Sequence, residues 1–221
     1  MDMSASSRWA PVTGILAPVL WFSGVTVSES GGVPDEDAGA EEILSYFQTE
    51  TTSLLLGSVL FMLGTLAFVL FVTVLRSRSR ALGASSDSTA LAFATGIVGA
   101  AFIAAIWAPQ LGIGIALEDM DAPLQPATAE VAWHIGTGFF VLGELFTALF
   151  LFATAAVSMK TAVIPKWLGW IGVALGVVAL VPPIGWASII FGLPLWVLVT
   201  AIVMMVKQPA PPAAADRGAS V

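Results

Sequence analysis

The chain has 221 residues, 57% of them hydrophobic and only 10% charged, with a formal net charge of −7 and no cysteine. A soluble domain carries about a quarter charged residues, so soluble globular and disordered chains are excluded. A nucleic-acid binder is excluded too, because it needs a basic face. The absence of cysteine removes disulfides, thiolate metal sites and cysteine nucleophiles, and a mean hydropathy of +0.93 points to an all-α polytopic membrane protein.

In chain order, apolar runs fall near 9–27, 52–75, 89–117, 129–158, 167–182 and 184–206. A helix needs about 20 apolar residues to cross about 30 Å of hydrocarbon, so the pattern predicts a six-transmembrane-helix bundle over residues 1–206. The first run follows Arg8 and begins like a secretion signal, but it is long for one and no Ala-x-Ala follows it, so it reads as a retained helix. Between the first two runs, Pro34 to Glu50 reads as a short interfacial helix on the outer side. Asp35 and Asp37 stand where they can cap it, and Ile43, Leu44 and Phe47 share one face that lies along the outer leaflet. A calcium loop starting at Asp35 fails, because Ala40 and Tyr46 stand where the glycine and glutamate are needed.

The second break is the run Arg76, Arg78 and Arg80 followed by Ala84 to Ser88, and the third is Glu118 to Thr128 with two prolines. Pro109, followed by Gln110, Gly112 and Gly114, is expected to bend or break the third span near its outer end. Lys160 to Lys166 forms the fourth break and Pro182-Pro183 the fifth. The fifth span is short, and with the sixth it forms either two crossings or a re-entrant hairpin. The tail 207–221, rich in proline and alanine from Gln208 on, is expected to be disordered and cytoplasmic.

Six spans place all 8 lysines and arginines on one side. Most acids, among them Glu29, Asp35, Asp37, Glu41, Glu42, Glu50, Glu118, Asp119, Asp121 and Glu130, fall on the other. The positive-inside rule then puts both termini in the cytoplasm. Trp9, Trp167 and Trp170 beside inner basic residues, and Trp133 beside Glu130, read as interfacial anchors.

The fourth span carries the candidate chemistry. Glu130, His134, Thr137, Glu144, Thr147, Thr154 and Ser158 fall within about half of a helix circumference at 100° per residue. Glu144 lies near mid-bilayer, where an ionisable group costs about 2.5–3.5 kcal/mol and is by default a functional hypothesis. One reading makes it a proton- or cation-handling carboxylate, with His134, Thr137 and Thr147 along its path. The other makes it a neutral acid that holds neighbouring spans together. Glu130, His134, Asp119 and Asp121 form a weaker candidate set for a hard divalent cation. Gly169, Gly172 and Gly176 mark a close-approach face on the fifth span, and Gly96, Gly99, Gly136 and Gly143 thin the third and fourth. No metalloprotease helix, nucleophile elbow or phosphate loop is present.

The stretch Ile164-Pro165-Lys166-Trp167-Leu168-Gly169-Trp170-Ile171-Gly172 resembles a hallmark of a bacterial family of six- or seven-span membrane proteins of unassigned function. Asp37-x-x-x-Glu41-Glu42-Ile43-x-x-Tyr46-Phe47 and Leu180-Val181-Pro182-Pro183-Ile184-Gly185 are similar to the same group, over residues 8–206. The resemblance implies a bacterial inner-membrane protein and carries over no catalytic residue. The expected function is therefore non-enzymatic and free of cofactors, acting in the lipid bilayer through a second copy or a membrane-protein partner. The alternative is a small proton- or cation-coupled transporter or channel with Glu144 in the path.

Overall fold

The computed structural model describes residues 10–35, 37–119, 123–181 and 184–207. Among these residues all regular structure is helical. A 3-10 turn at Ala10–Val12 leads into α1 (Thr13–Ser28), followed by α2 (Ala40–Thr49), α3 (Thr51–Ala81) and α4 (Ser86–Asp119). Then come α5 (Pro126–Thr161), α6 (Lys166–Ala179) and α7 (Gly185–Val206). Helices α3, α4, α5 and α7 are long and apolar enough to cross a membrane, whereas α1 and α6 are apolar but have 16 and 14 residues. Trp9, Pro182, Pro183 and the tail from Gln208 lie outside the described residues.

Several boundaries differ from the sequence expectation, each for a local reason. Helix α3 runs through the arginine run to Ala81. Arginine is a good helix former, and a basic last turn complements the helix dipole, so the change in hydropathy does not end the helix. Pro109 does not break α4, which is continuous from Ser86 to Asp119. Pro126 opens α5 instead of lying in a loop, at the first-turn position where its missing N–H costs nothing. The caps expected from Asp35 and Asp37 do not form. The Asp35 carbonyl instead accepts the Ala38 N–H at 3.0 Å in a turn, and Gly39 stands at the N-cap of α2.

The long helices form a ring. Helix α1 packs on α3 and α7, α3 on α4, α4 on α5, α5 on α6, and α6 closes against α7. The centre is filled, with Phe68, Phe71, Phe150, Leu151 and Trp196 each at most 2% exposed. Phe150 meets Phe68 edge-on with centroids 5.6 Å apart and Trp196 edge-on at 6.0 Å, and Trp21 lies 5.3 Å from Phe68. Both buried indoles have acceptors: Trp21 Nε1 donates to Thr65 Oγ1 and Trp196 Nε1 to the Leu168 carbonyl, each at 3.0 Å. These bonds tie α1 to α3 and α7 to α6, and each relieves the cost of an unpaired buried donor.

Helix α2 covers one end of this ring. Ile43 and Phe47 are 1% exposed and Leu44 9%, packed with Leu54, Ile113 and Ala129 from α3, α4 and α5. The apolar face expected to lie along a leaflet is instead occupied by the bundle. Tyr46 and Phe47 meet Trp133 edge-on at 5.9 and 6.4 Å, so the tryptophan expected as an interfacial anchor joins α5 to this cap. Trp167 and Trp170, at the opposite end, are exposed.

Candidate functional site

The polar residues expected to share a path on α5 are divided among three environments. His134 and Thr137 are exposed, Glu130 and Glu144 are half-buried, and Thr147, Thr154 and Ser158 are buried. The reason is angular. A stripe half a circumference wide exceeds the gap between two neighbouring helices, so α4 and α6 cover part of it and leave the rest facing outward. Ser158 Oγ donates to the Thr154 carbonyl at 2.7 Å, a bond within α5. With the ring centre packed by aromatic rings, no polar lining joins these groups through the described residues.

Glu144 sits mid-way along α5, about 27 Å from its first residue. Its carboxyl lies over Gly185, the first residue of α7. A methyl group on that glycine would come within 2.8 Å of Glu144 Oε1 and 2.8 Å of the Ala179 carbonyl. Glycine is therefore required for this approach, and it places the α6–α7 turn beside the middle of α5. The 14 residues of α6 rise only about 21 Å, so α6 ends well before the α4-facing half of α5 does. One flank of α5 is uncovered on both sides of that turn, and Val131, Ile135, Val141, Leu145 and Leu149 are 42–58% exposed along it. Among the described residues no hydrogen-bond donor or charged side chain acts on the Glu144 carboxyl.

The first part of α7 is irregular where it faces this carboxyl. A π-helical stretch, Ser188–Gly192, follows the opening turn, and the Ile189 side chain reaches Gly143 on α5. Pro194 explains it. Proline offers no N–H to the carbonyl four residues back, and its ring clashes with that carbonyl, so a wider turn relieves the contact. Ser188 Oγ donates to the Leu175 carbonyl at 2.8 Å and fixes the irregular segment to α6.

The other site expectations separate as follows. Asp119 closes α4 and Asp121 lies outside the described residues. Among the described residues no three His, Asp or Glu side chains are placed to share a metal ion, Glu130 and His134 included. Gly169 faces Ala155 and Ser158 of α5, Gly176 faces the Phe152 ring, and Gly172 faces the Trp196 indole of α7. A close backbone-to-backbone approach joins α1 to α3 at two glycines outside the spaced sets. A side chain on Gly24 of α1 would meet the Gly57 carbonyl at 2.7 Å, and one on Gly57 of α3 the Gly24 carbonyl at 2.6 Å. Isolated glycines in apolar helices give no spacing signal, so this pair is not legible in the sequence.

At the α2 end, burial and then the carboxylates of Glu29 and Glu50 push the Tyr46 phenol up to about 12. Its hydroxyl donates to the Ser28 carbonyl at 3.2 Å, joining the cap to the end of α1. Burial likewise raises the Glu29 carboxyl above the ordinary glutamate range.

The chain matches no protein-family model, no curated protein and no solved structure.

Proposed function

We propose that this is a non-enzymatic, multi-pass protein of a bacterial plasma membrane, with six spans and both termini cytoplasmic, acting as an accessory envelope component through contacts with a membrane partner or a second copy. The one-sided basic residues support the orientation, and four helices long and apolar enough to cross a membrane support a multi-pass chain. The motif Ile164 to Gly172, which resembles that of a bacterial inner-membrane family, supports the setting. The observation that carries the functional reading is Glu144, a half-buried carboxyl over the α6–α7 turn at the edge of an uncovered flank of α5, with no hydrogen-bond donor among the described residues, beside a bundle centre packed shut. A polar group in apolar surroundings favours a neighbour that satisfies it.

The test uses the full chain with a photo-crosslinker at position 141, on the same flank as Glu144. The expected result is an adduct, with itself or another membrane protein, that falls several-fold in Glu144→Leu while Glu144→Gln retains it. No adduct from position 141 in wild type, or equal yield in Glu144→Leu, would discard the reading. Proton or cation flux in liposomes that Glu144→Gln abolishes would establish the transporter alternative in its place.

A further inference from the structure

Between α3, α4 and α5, toward the end bearing the arginine run, a half-enclosed void of about 10 Å³ is lined by Arg76 and Ser79 of α3, Thr89 and Phe93 of α4, and Phe150 and Thr154 of α5 among others, with Arg76 at its exposed side. Thr154 is 1% exposed and its Oγ1 has no hydrogen-bond partner. Ser79 and Thr89, each 2% exposed, direct their hydroxyl protons along their own helices. Ser79 donates to the Leu75 carbonyl at 2.8 Å, and Thr89 to the Ser85 and Ser86 carbonyls at 2.9 Å each. Both oxygens are left with free lone pairs, and Thr154 is left with a free proton.

We infer that this void is a hydration site for a single water molecule that links the three helices. The volume matches one water, for which about 10–15 Å³ is the minimum. The chemistry balances: the water accepts from Thr154 Oγ1 and donates to Ser79 Oγ and Thr89 Oγ1, which falls in the usual range of two to four bonds for a buried water. Phe93 forms one wall and carries the Arg76 guanidinium over its ring, 4.6 Å from the centroid. That cation–π contact holds the guanidinium over the ring, in the lining of the site. A dry void would leave the Thr154 hydroxyl buried and unpaired, at a cost that native structures rarely bear.

The sign of one substitution separates the two states. In a dry void Thr154→Val replaces an orphaned hydroxyl with a methyl group of the same shape, and Tm stays or rises. In the hydrated site the same change takes away a partner of the water, and Tm falls by about 2–4 °C, while Thr154→Ser, which keeps the hydroxyl, melts above Thr154→Val. An experimental structure of the full wild-type chain gives the independent readout, whether or not the variants fold. Density for one water within hydrogen-bond reach of Thr154 Oγ1 is expected. An empty void, a lipid or detergent chain in it, or a Tm for Thr154→Val at or above wild type would overturn the assignment.

Discussion

Tyr46 is the only tyrosine in the chain, and its environment makes a titration prediction. Its folded-state value of about 12 lies above the ordinary 10.0, so the folded state holds this proton more tightly than the unfolded chain. The resulting stabilisation is complete below pH 10 and is lost as the pH rises from 10 to about 12. Melting curves of wild type and Tyr46→Phe between pH 8 and 12 check this. Phenylalanine is expected to lower stability at pH 8 by about 0.5–1.5 kcal/mol, through the lost bond to Ser28, and to flatten the alkaline decline. Glu29 has the same sign at acid pH, since its raised folded value favours the folded state most below pH 4.5, a contribution lost as the pH rises. Neither effect was legible in the sequence, because both depend on α2 folding back against the end of α1.

Among the helices, the decisive contact is the backbone approach of α1 to α3. In a membrane the apolar tails of lipid compete equally for apolar side chains, so close packing and hydrogen bonds must hold helices together. Gly24 and Gly57 allow that approach, and Trp21 completes it by donating to Thr65. Gly24→Ala puts a methyl group 2.7 Å from the Gly57 carbonyl and 2.8 Å from the Phe61 nitrogen. Backbone atoms cannot step aside, so a cost of about 1–3 kcal/mol is expected. Gly138→Ala on α5 meets nothing within 4 Å and should be neutral or stabilising by up to about 1 kcal/mol, as alanine suits a helix better. Thermal melts of the two variants in one detergent compare them directly, and equal losses would refute the contact. The glycines at 169, 172 and 176 were readable from their spacing, yet they face two different helices, which spacing does not reveal.

The bundle as a unit has an aromatic centre, a cap made by α2, and a flank of α5 left open on both sides of the α6–α7 turn. The proposed orientation is testable because the chain contains no cysteine. Single cysteines at Ser45, in α2, and at Ser85, in the α3–α4 connection, report the two sides of the membrane. In intact cells an impermeant maleimide is expected to label position 45, and position 85 only after the membrane is opened. Labelling of both in intact cells, or of 85 alone, would reverse or discard the topology.

Composition and hydropathy alone required apolar helices and located them. The sign of the charged residues between them carries the proposed orientation, because charge at a membrane boundary acts through local residue type and needs no knowledge of packing. The apolar face Ile43, Leu44 and Phe47 was also visible, since it contrasts with a polar opposite face on α2. The long helices offer no such contrast. They are apolar on every side, so periodicity does not distinguish a side chain in the core from one facing outward. That is why Phe150 and Leu149, adjacent and both apolar, ended 1% and 42% exposed. It is also why the polar stripe on α5 admits a reading as one path beside the reading as a structural contact. Which of its residues are buried, and the meeting of Glu144 with Gly185, followed from the short length of α6 and from the neighbours it brings to α5, and these exist only once the helices are packed.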